Sequence, residues 1–172
     1  MAETITLEII TPDGVKLSEE VSELTAPSVE GEFGVLPGHR PLLAALKTGI
    51  VSYRKPDEKE VDRVGVGPGF AEVIDDKAVL LTDRFTTKSA VDPVRARLEL
   101  KEADEALAAF DGDPQGPEFG ALVSRERWAA TELELYGDPP PPTVHTVQEF
   151  AAVAAVSYSE DQADDGGAEA PR

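Results

Sequence analysis

Short runs of alternating apolar and polar residues fill roughly the first ninety positions of the chain. In the first run, Ile5, Leu7 and Ile9 alternate with threonine and glutamate, which is the period of a strand with one buried face. Turn residues such as Pro12 and Gly14 separate one run from the next. The other candidate strands are residues 15–17, 21–26, 42–46, 49–54, 61–66, 70–74 and 78–82. About eight short strands bounded by turns predict an all-β sandwich or barrel.

The hydrophobic period changes at Asp92. An aspartate followed by Pro93 is typical of a helix start, because the carboxylate accepts hydrogen bonds from free amides and proline fits the first helical position. Apolar residues then recur every three or four positions and form one stripe. The stripe consists of Ala96, Leu100, Ala103, Leu107 and Phe110.

Glycine and proline residues between positions 112 and 117 end this helix, and a second one is predicted from about Glu118 to Tyr136. Its predicted apolar face, which Glu126 interrupts, consists of Leu122, Ala129, Leu133 and Tyr136. Two helices joined by a short loop predict an antiparallel hairpin. Because the seam is rich in alanine, we expect the hairpin to hold to the sandwich weakly and reversibly.

Four consecutive prolines at 139–142 end the second helix. Residues 143–156 have the spacing of a short amphipathic helix, and an acidic, Gly/Ala-rich stretch follows from Ser157. This composition favours disorder, with partner docking as the open alternative. The predicted domains are a β-sandwich at 1–88, a helical hairpin at 89–137, and a Pro-rich linker with a disordered tail at 138–172.

The composition excludes several functions. A formal charge of −18 disfavours nonspecific binding to nucleic acid and to anionic lipid. The absence of cysteine excludes disulfides and thiol catalysis. The N-terminus lacks the pattern of a secretion signal, and no apolar run reaches the roughly 18–20 residues of a membrane span. We therefore expect no direct membrane insertion, so that any membrane association comes through partners.

No pattern indicates a catalytic or metal site. The two histidines are His39, in a predicted turn, and His145, in the tail, and neither indicates a catalytic triad. No phosphate-binding GK[ST] loop occurs. Residues 65–69 are glycine-rich, but Pro68 removes an amide donor and no helix follows. Asp75 and Asp76 fit a hairpin turn better than a pair of catalytic carboxylates. The sequence predicts no catalytic residues and no bound metal.

The most distinctive stretch is the Gly-Pro segment, residues 30–43, which contains three glycines and two prolines. Pro37 fixes its own φ and Gly38 can adopt a positive φ, so the pair predicts a tight turn. The next strand is expected to start after Pro41, which cannot donate to a ladder.

This segment resembles the signature of the epsilon subunit of F-type, proton-translocating ATP synthases. The matching elements are Gly31-Glu32-Phe33-Gly34, Pro37-Gly38-His39 and Pro41-Leu42-Leu43. Arg40 stands where the family usually has a small residue. Residues 69–73 and 91–96 resemble the family as well.

The resemblance implies a ten-stranded sandwich of two sheets and a helical hairpin that can rest on it or extend. It also implies a non-catalytic central-stalk (rotor) subunit that links the gamma subunit to the c-ring, peripheral on the cytoplasmic face of the inner cell membrane. By resemblance, Glu30, Gly31, Glu32 and His39 face the ring and gamma. The C-terminal helices would contact the catalytic beta subunits, and their acidic balance predicts only modest inhibition of hydrolysis.

Some members of the family bind ATP between the hairpin helices through an aliphatic-Asp-x-x-Arg-Ala motif, which residues 91–96 fit. Asp92 and Arg95 are therefore candidate ATP-binding residues. However, Asp92 already has a capping role, and Trp128 and Glu132 stand where we align the family's additional arginines. We expect no cofactor, with ATP as a regulatory ligand the weaker alternative.

A rival hypothesis is a free-standing β-sandwich binding module with the hairpin as a lid. Such a module needs a concave, aromatic-lined pocket. The chain has a single tryptophan, Trp128, and only three tyrosines, which argues against this alternative.

Overall fold

The computed structural model describes residues 4–141, a range with ten strands followed by two helices. The strands are β1 (Ile5–Thr11), β2 (Gly14–Val21), β3 (Glu23–Ser28), β4 (Gly31–Val35), β5 (Leu42–Leu46), β6 (Gly49–Arg54), β7 (Asp62–Val66), β8 (Gly69–Ile74), β9 (Lys77–Thr82) and β10 (Phe85–Thr87). A 3₁₀ turn (Lys88–Ala90) leads to α1 (Pro93–Ala108) and α2 (Pro117–Tyr136). The predicted fold class is confirmed. The predicted tail helix and the acidic stretch after it lie outside the described residues.

The strands form one continuous sheet that folds over into two layers. One layer has the order β4-β3-β6-β7-β10 and the other β5-β8-β9-β1-β2. A single register pair between β3 and β5, Ser28 with Leu46, joins them at one corner. The two sheets expected from the resemblance are therefore connected, which places the body between a sandwich and a barrel.

The core lies between the layers and follows the alternation of the sequence. Ile5, Leu7 and Ile9 on β1 are fully buried, while the residues between them are partly exposed. Both layers supply the remaining core residues: Val21, Leu24, Ala26, Val35, Leu46, Val51, Tyr53, Val64, Val66, Ala71, Val73, Ala78 and Leu80. Each fully buried large aliphatic side chain contributes about 1.5–3 kcal/mol.

The resemblance gave the correct number of ten strands, but the residue pattern alone did not locate two of them. The sequence interpretation placed a turn throughout the Gly-Pro segment, whereas β4 occupies residues 31–35 within it. The alternation of partly buried Phe33 and buried Val35 with exposed Gly34 is the signal that the glycine content concealed. Strand β10 has three residues, too few for any period to be recognised.

Helix α1 has the predicted start and the predicted buried stripe. Asp92 Oδ1 accepts hydrogen bonds from the backbone N–H groups of Val94 and Arg95 at 3.0 and 3.1 Å. The buried residues of α1 are Ala96, Leu100, Ala103 and Leu107; Phe110 lies beyond its end. The helix therefore packs through one face.

The single apolar face predicted for α2 is wrong. Tyr136 is 42% exposed, whereas its neighbour Leu135 is buried. Ala129 and Leu133 pack in one cluster with Ala96 and Leu100 of α1, and Leu135 approaches β7 on another side. Because α2 lies between α1 and the sandwich, it buries two faces, and its apolar residues do not fall in one stripe.

Candidate functional sites on the sandwich and at the helix junction

The turn between β3 and β4 holds the first two candidate carboxylates. Gly31 has φ +121, which favours glycine there. The Ser28 hydroxyl donates to the Gly31 carbonyl at 2.6 Å and accepts from the Glu30 backbone N–H at 3.2 Å. Glu30 and Glu32 are both exposed on this ordered turn.

A second turn holds the candidate histidine. The His39 N–H donates to the Leu36 carbonyl at 3.0 Å, and Gly38 between them has φ 77. With proline at its second position this is a type II turn. The sequence predicted a tight turn here but not its type. The Gly38 N–H also donates to Asp76 Oδ1 at 2.6 Å. Asp76, whose turn with Asp75 has positive φ at both residues, thus fixes the position of the Pro-Gly turn, a role that sequence reasoning missed.

The structure does not gather these candidates into one cluster. Glu30, Gly31 and Glu32 lie at one end of β4, and His39 lies beyond the other end. The five residues of β4 span about 13 Å at 3.3 Å per residue. Within residues 4–141, β4 pairs with β3 alone, so its other side is a sheet edge. We call Glu30, Gly31, Glu32 and His39 the β4 edge.

An apolar surface that the sequence reading missed covers the outside of the second layer. Leu43 is 73% exposed, Phe70 59% and Leu81 51%. Phe70 is paired in register with Ala45 on one side and with Leu81 on the other, so a continuous apolar row crosses β5, β8 and β9. We call Leu43, Phe70, Ile74 and Leu81 the outer apolar face. The signal was present, since β5, β8 and β9 carry apolar residues at outward as well as inward positions.

A groove of about 450 Å³ extends this face toward the β1–β2 turn. Its lining includes Ile10, Pro12, Pro68 and Leu81. Exposed apolar surface of this kind typically marks a binding site for another protein. The second layer therefore has a surface suited to a protein partner.

At the helix junction, both candidate ATP-binding residues already have partners. The Asp92 carboxylate caps α1. Arg95 Nη2 lies 2.9 Å from Glu132 Oε1 on α2, and Glu132 is only 4% exposed. Burial raises the pKa of the Glu132 carboxyl, and the nearby Arg95 guanidinium opposes that increase.

A cavity of about 370 Å³, the junction cavity, lies where the β1–β2 turn, the β9–β10 connection and both helices meet. Three cations and three carboxylates line it: Lys16, Arg84, Arg95, Asp13, Asp83 and Glu132. The Arg84 guanidinium lies over the ring of Trp128 at 5.7 Å from its centroid. The lining is polar and its formal charges balance.

The second helix contacts the sandwich at β7. Gly65 of β7 leaves room for α2: a Cβ there would lie 3.5 Å from Thr131 Cγ2 and 3.7 Å from Leu135 Cδ2. Arg63 forms an ion pair with Glu134 at 3.0 Å, and both side chains are about half exposed. The missing side chain at position 65 lets Thr131 and Leu135 of α2 approach β7.

Charged side chains also join the two helices to each other. Arg125 binds Glu99 and Glu102 at 2.6 and 2.7 Å. Arg97 binds Asp138 at 2.7 Å. All of these side chains are substantially exposed, so salt screens the attraction.

In the part of the chain that the structure describes, no group of three or more His, Asp or Glu side chains could hold a metal ion. Neither α1 nor α2 is long and apolar enough to cross a membrane.

The sequence of the β-sandwich places this chain in a class of ATP synthase chains, as the match to a family model shows. Residues 4–88 match the family model described as ATP synthase, Delta/Epsilon chain, beta-sandwich domain. A chain of the mitochondrial ATP synthase of Euglena gracilis, in an OSCP/F1/c-ring structure, superposes with a TM-score of 0.60 at 24% identity, covering 80% of both chains. A chain of the Tetrahymena thermophila mitochondrial ATP synthase, in a central stalk/c-ring structure, gives 0.54 at 18% identity over 77% of this chain and 96% of that one.

Curated relatives are more similar in sequence. The ATP synthase epsilon chain 2 of Syntrophotalea carbinolica is 42% identical over 137 residues, which are 80% of this chain and 96% of the relative. The ATP synthase epsilon chain of Geotalea daltonii is 41% identical over the same shares. The chain belongs to the ATP synthase epsilon chain family.

Proposed function

We propose that this chain is a non-catalytic rotor subunit that joins the gamma subunit to the c-ring, so that proton-driven rotation of the ring turns the shaft. Membership of the epsilon chain family supports this role, and so do the central stalk/c-ring assemblies from which the similar structures come. The observation that carries it is the pairing of a densely packed β body with two exposed, chemically different surfaces.

The outer apolar face is the proposed contact for gamma. Phe70 and Leu81 are more than half exposed and lie in register beside each other. Transfer of such side chains from water into an interface is favourable by up to about 1.5–3 kcal/mol each. A permanent partner would cover them.

The β4 edge is the proposed contact for the c-ring. Its exposed groups are the Glu30 and Glu32 carboxylates and the His39 turn, which suit polar loops better than an apolar partner. The ordered hydrogen bonds of both turns hold these groups in place before binding.

Torque transmission requires that the link between the two partners not deform. Close-packed interiors resist deformation, and the core between the two layers contains Leu7, Leu24 and Leu80 with at most 1% exposure. The sandwich is thus suited to carry force from one surface to the other.

In this proposal the protein is peripheral, on the cytoplasmic face of the cell membrane, and the hairpin is a regulatory arm. When extended, the helices would contact the catalytic beta subunits. Their acidic surface gives modest inhibition of ATP hydrolysis, because like charges repel at an acidic target.

The ring contact is tested by Glu32→Lys in the assembled enzyme, reconstituted in membranes. We expect lower ATP synthesis and lower ATP-driven proton pumping, since the substitution reverses the charge at the β4 edge. Glu58→Lys, the same change in the exposed β6–β7 turn, is the matched control. If proton pumping and synthesis by the Glu32 variant equal those of the control, the ring does not bind at this edge.

The gamma contact is tested by Phe70→Asp and co-purification with gamma. We expect at least about a tenfold loss of affinity, which corresponds to 1.4 kcal/mol. Val61→Asp is the control, because Val61 is 45% exposed and lies outside the outer apolar face. Undiminished binding of gamma by the Phe70 variant would show that gamma binds elsewhere. If the wild-type chain co-purifies with no ATP synthase subunit, the free-standing binding module becomes the better hypothesis.

A further inference from the structure

The junction cavity has several features of a nucleotide site. Its volume of about 370 Å³ lies within the range of about 300–1,000 Å³ typical of small-molecule sites. Trp128 offers an aromatic ring, and the guanidinium groups of Arg84 and Arg95 could bind phosphate oxygens in a fork geometry. Volume and residue types alone would favour an anionic ligand.

The charged side chains of the lining are already paired with one another, which disfavours binding of an anionic ligand. Lys16 Nζ lies 3.8 Å from Asp13 Oδ2, and Arg84 Nε lies 3.8 Å from Asp83 Oδ2.

Arg95 has the shortest of these pairs, 2.9 Å from the Glu132 carboxylate. Each cation of the cavity therefore faces a carboxylate of the same cavity. A polyphosphate would have to displace these carboxylates or lie beside them.

Glu132 differs from the other two carboxylates in its burial. Its side chain is 6% exposed, against 49% for the side chain of Asp83 and 84% for that of Asp13. A buried carboxylate that loses its cation strongly destabilises the fold. Arg95 therefore stays paired with Glu132 as long as the helices stay together. Since Arg95 belongs to α1 and Glu132 to α2, their pair ties the two helices at the cavity.

We propose that Glu132 is a built-in anion that occupies Arg95, closes the two helices without a bound nucleotide, and excludes polyphosphates from the junction cavity. The biological meaning of this inference rests on the proposed function, because it concerns what sets the position of the regulatory arm. In this chain the arm responds to partner contacts and not to the nucleotide concentration.

The inference predicts a gain of binding on removal of one charge. Glu132→Gln keeps the shape of the side chain but leaves three cations facing two carboxylates, with Arg95 released. The experiment uses the full chain and titrates it with ATP and, separately, with inorganic triphosphate. Fluorescence of Trp128 reports binding directly, since it is the only tryptophan of the chain and lines the cavity.

We expect no saturable change in the wild type up to millimolar ATP, and saturable binding at least tenfold tighter in Glu132→Gln. Triphosphate should compete with ATP in that variant, because the released guanidinium recognises phosphate. Glu118→Gln removes the same charge at the exposed start of α2 and should behave like the wild type. Circular dichroism establishes that each variant is folded.

Saturable ATP binding by the wild type would overturn the proposal, as would a folded Glu132→Gln variant that binds neither ligand. A second measurement does not depend on the variant: limited proteolysis of the wild-type helices with and without ATP. Equal protection supports a self-closed hairpin, and ATP-dependent protection overturns it. Both experiments use the isolated chain, so their failure is distinguishable from a failure to join gamma to the ring.

Discussion

The sandwich core is built from long aliphatic side chains, whereas the cluster between the two helices is half alanine. Ile5, Leu7 and Ile9 are fully buried in the sandwich, with partners from both layers. The helix cluster consists of Ala96, Leu100, Ala129 and Leu133, with Ala130 at its margin. Burial of leucine contributes far more than burial of alanine, so the body is held tightly and the arm loosely.

Exposed ion pairs add little to the stability of the helical hairpin. The helices are joined to each other and to the sheet by ion pairs on exposed side chains, such as Arg63 with Glu134 and Arg125 with Glu99. Such pairs contribute about 0–1 kcal/mol each and weaken with salt. One chain thus combines a stiff part that can transmit force with a part that can change position.

The largest expected effect is on the sandwich core. Leu80→Ala should lower the free energy of unfolding of the sandwich by about 2–5 kcal/mol, since Leu80 is fully buried. Leu133→Ala should leave the sandwich transition unchanged and increase opening of the hairpin. Urea unfolding combined with limited proteolysis distinguishes the two responses. A Leu133→Ala variant that unfolds the sandwich would show that body and arm are one cooperative unit.

Gly65→Val should detach the second helix from the sheet. A Cβ at Gly65 would lie 2.9 Å from Thr86 Cγ2 of β10 and in van der Waals contact with Thr131 and Leu135 of α2, so the further methyl groups of valine would crowd both neighbours at a cost of about 1–3 kcal/mol. We expect faster proteolysis within α1 and α2 while the sandwich stays folded. Gly34→Val is the control, because the nearest atom to a Cβ there is 3.9 Å away. Equal proteolysis of both variants would contradict a close approach at Gly65.

Deletion of residues 92–172 removes the arm and leaves the body. ATP hydrolysis by the assembled enzyme should change only a few-fold, roughly the effect of 1 kcal/mol on a barrier. The reason is the acidic surface of the helices, where Arg125 is already occupied by Glu99 and Glu102. A hundredfold activation would show that the arm inhibits strongly in spite of its charge.

The smallest effect concerns pH. Because burial raises the pKa of Glu132 above 4.5, the folded hairpin binds this proton more tightly than the unfolded chain. The carboxyl's contribution to stability is therefore complete below 4.5 and is lost as the pH rises through the folded pKa. The stability of the wild type relative to Glu132→Gln should fall over that window, measured by urea unfolding. A relative stability that rises with pH would mean that Arg95 outweighs burial.

Local chemistry in the sequence was sufficient for much of the fold. Alternation predicted β1, the Asp92-Pro93 pair predicted the start of α1, and the paired aspartates at 75 and 76 predicted a tight hairpin turn. The stripe from Ala96 to Leu107 could be predicted because the buried residues of α1 lie on one face. In each case the signal lies within a few residues, where period, capping and φ preference act.

The candidate sites depended more on what the fold brings together. No local signal indicates that Asp76 binds the Gly38 amide, or that Glu132 is buried against Arg95 thirty-seven positions earlier in the chain. The outer apolar face was present in the residues of β5, β8 and β9, but its continuity follows from their register.

The sequence by itself determined a β body, a helical hairpin and the Pro37-Gly38 turn. It did so because backbone propensity and hydrophobic period are properties of neighbouring residues. Only the tertiary structure decided that α2 buries two faces, that the β4 edge extends along a strand, and that the cations of the junction cavity are already paired. Burial and charge pairing depend on residues distant in the chain, so they are settled only when the layers and helices pack.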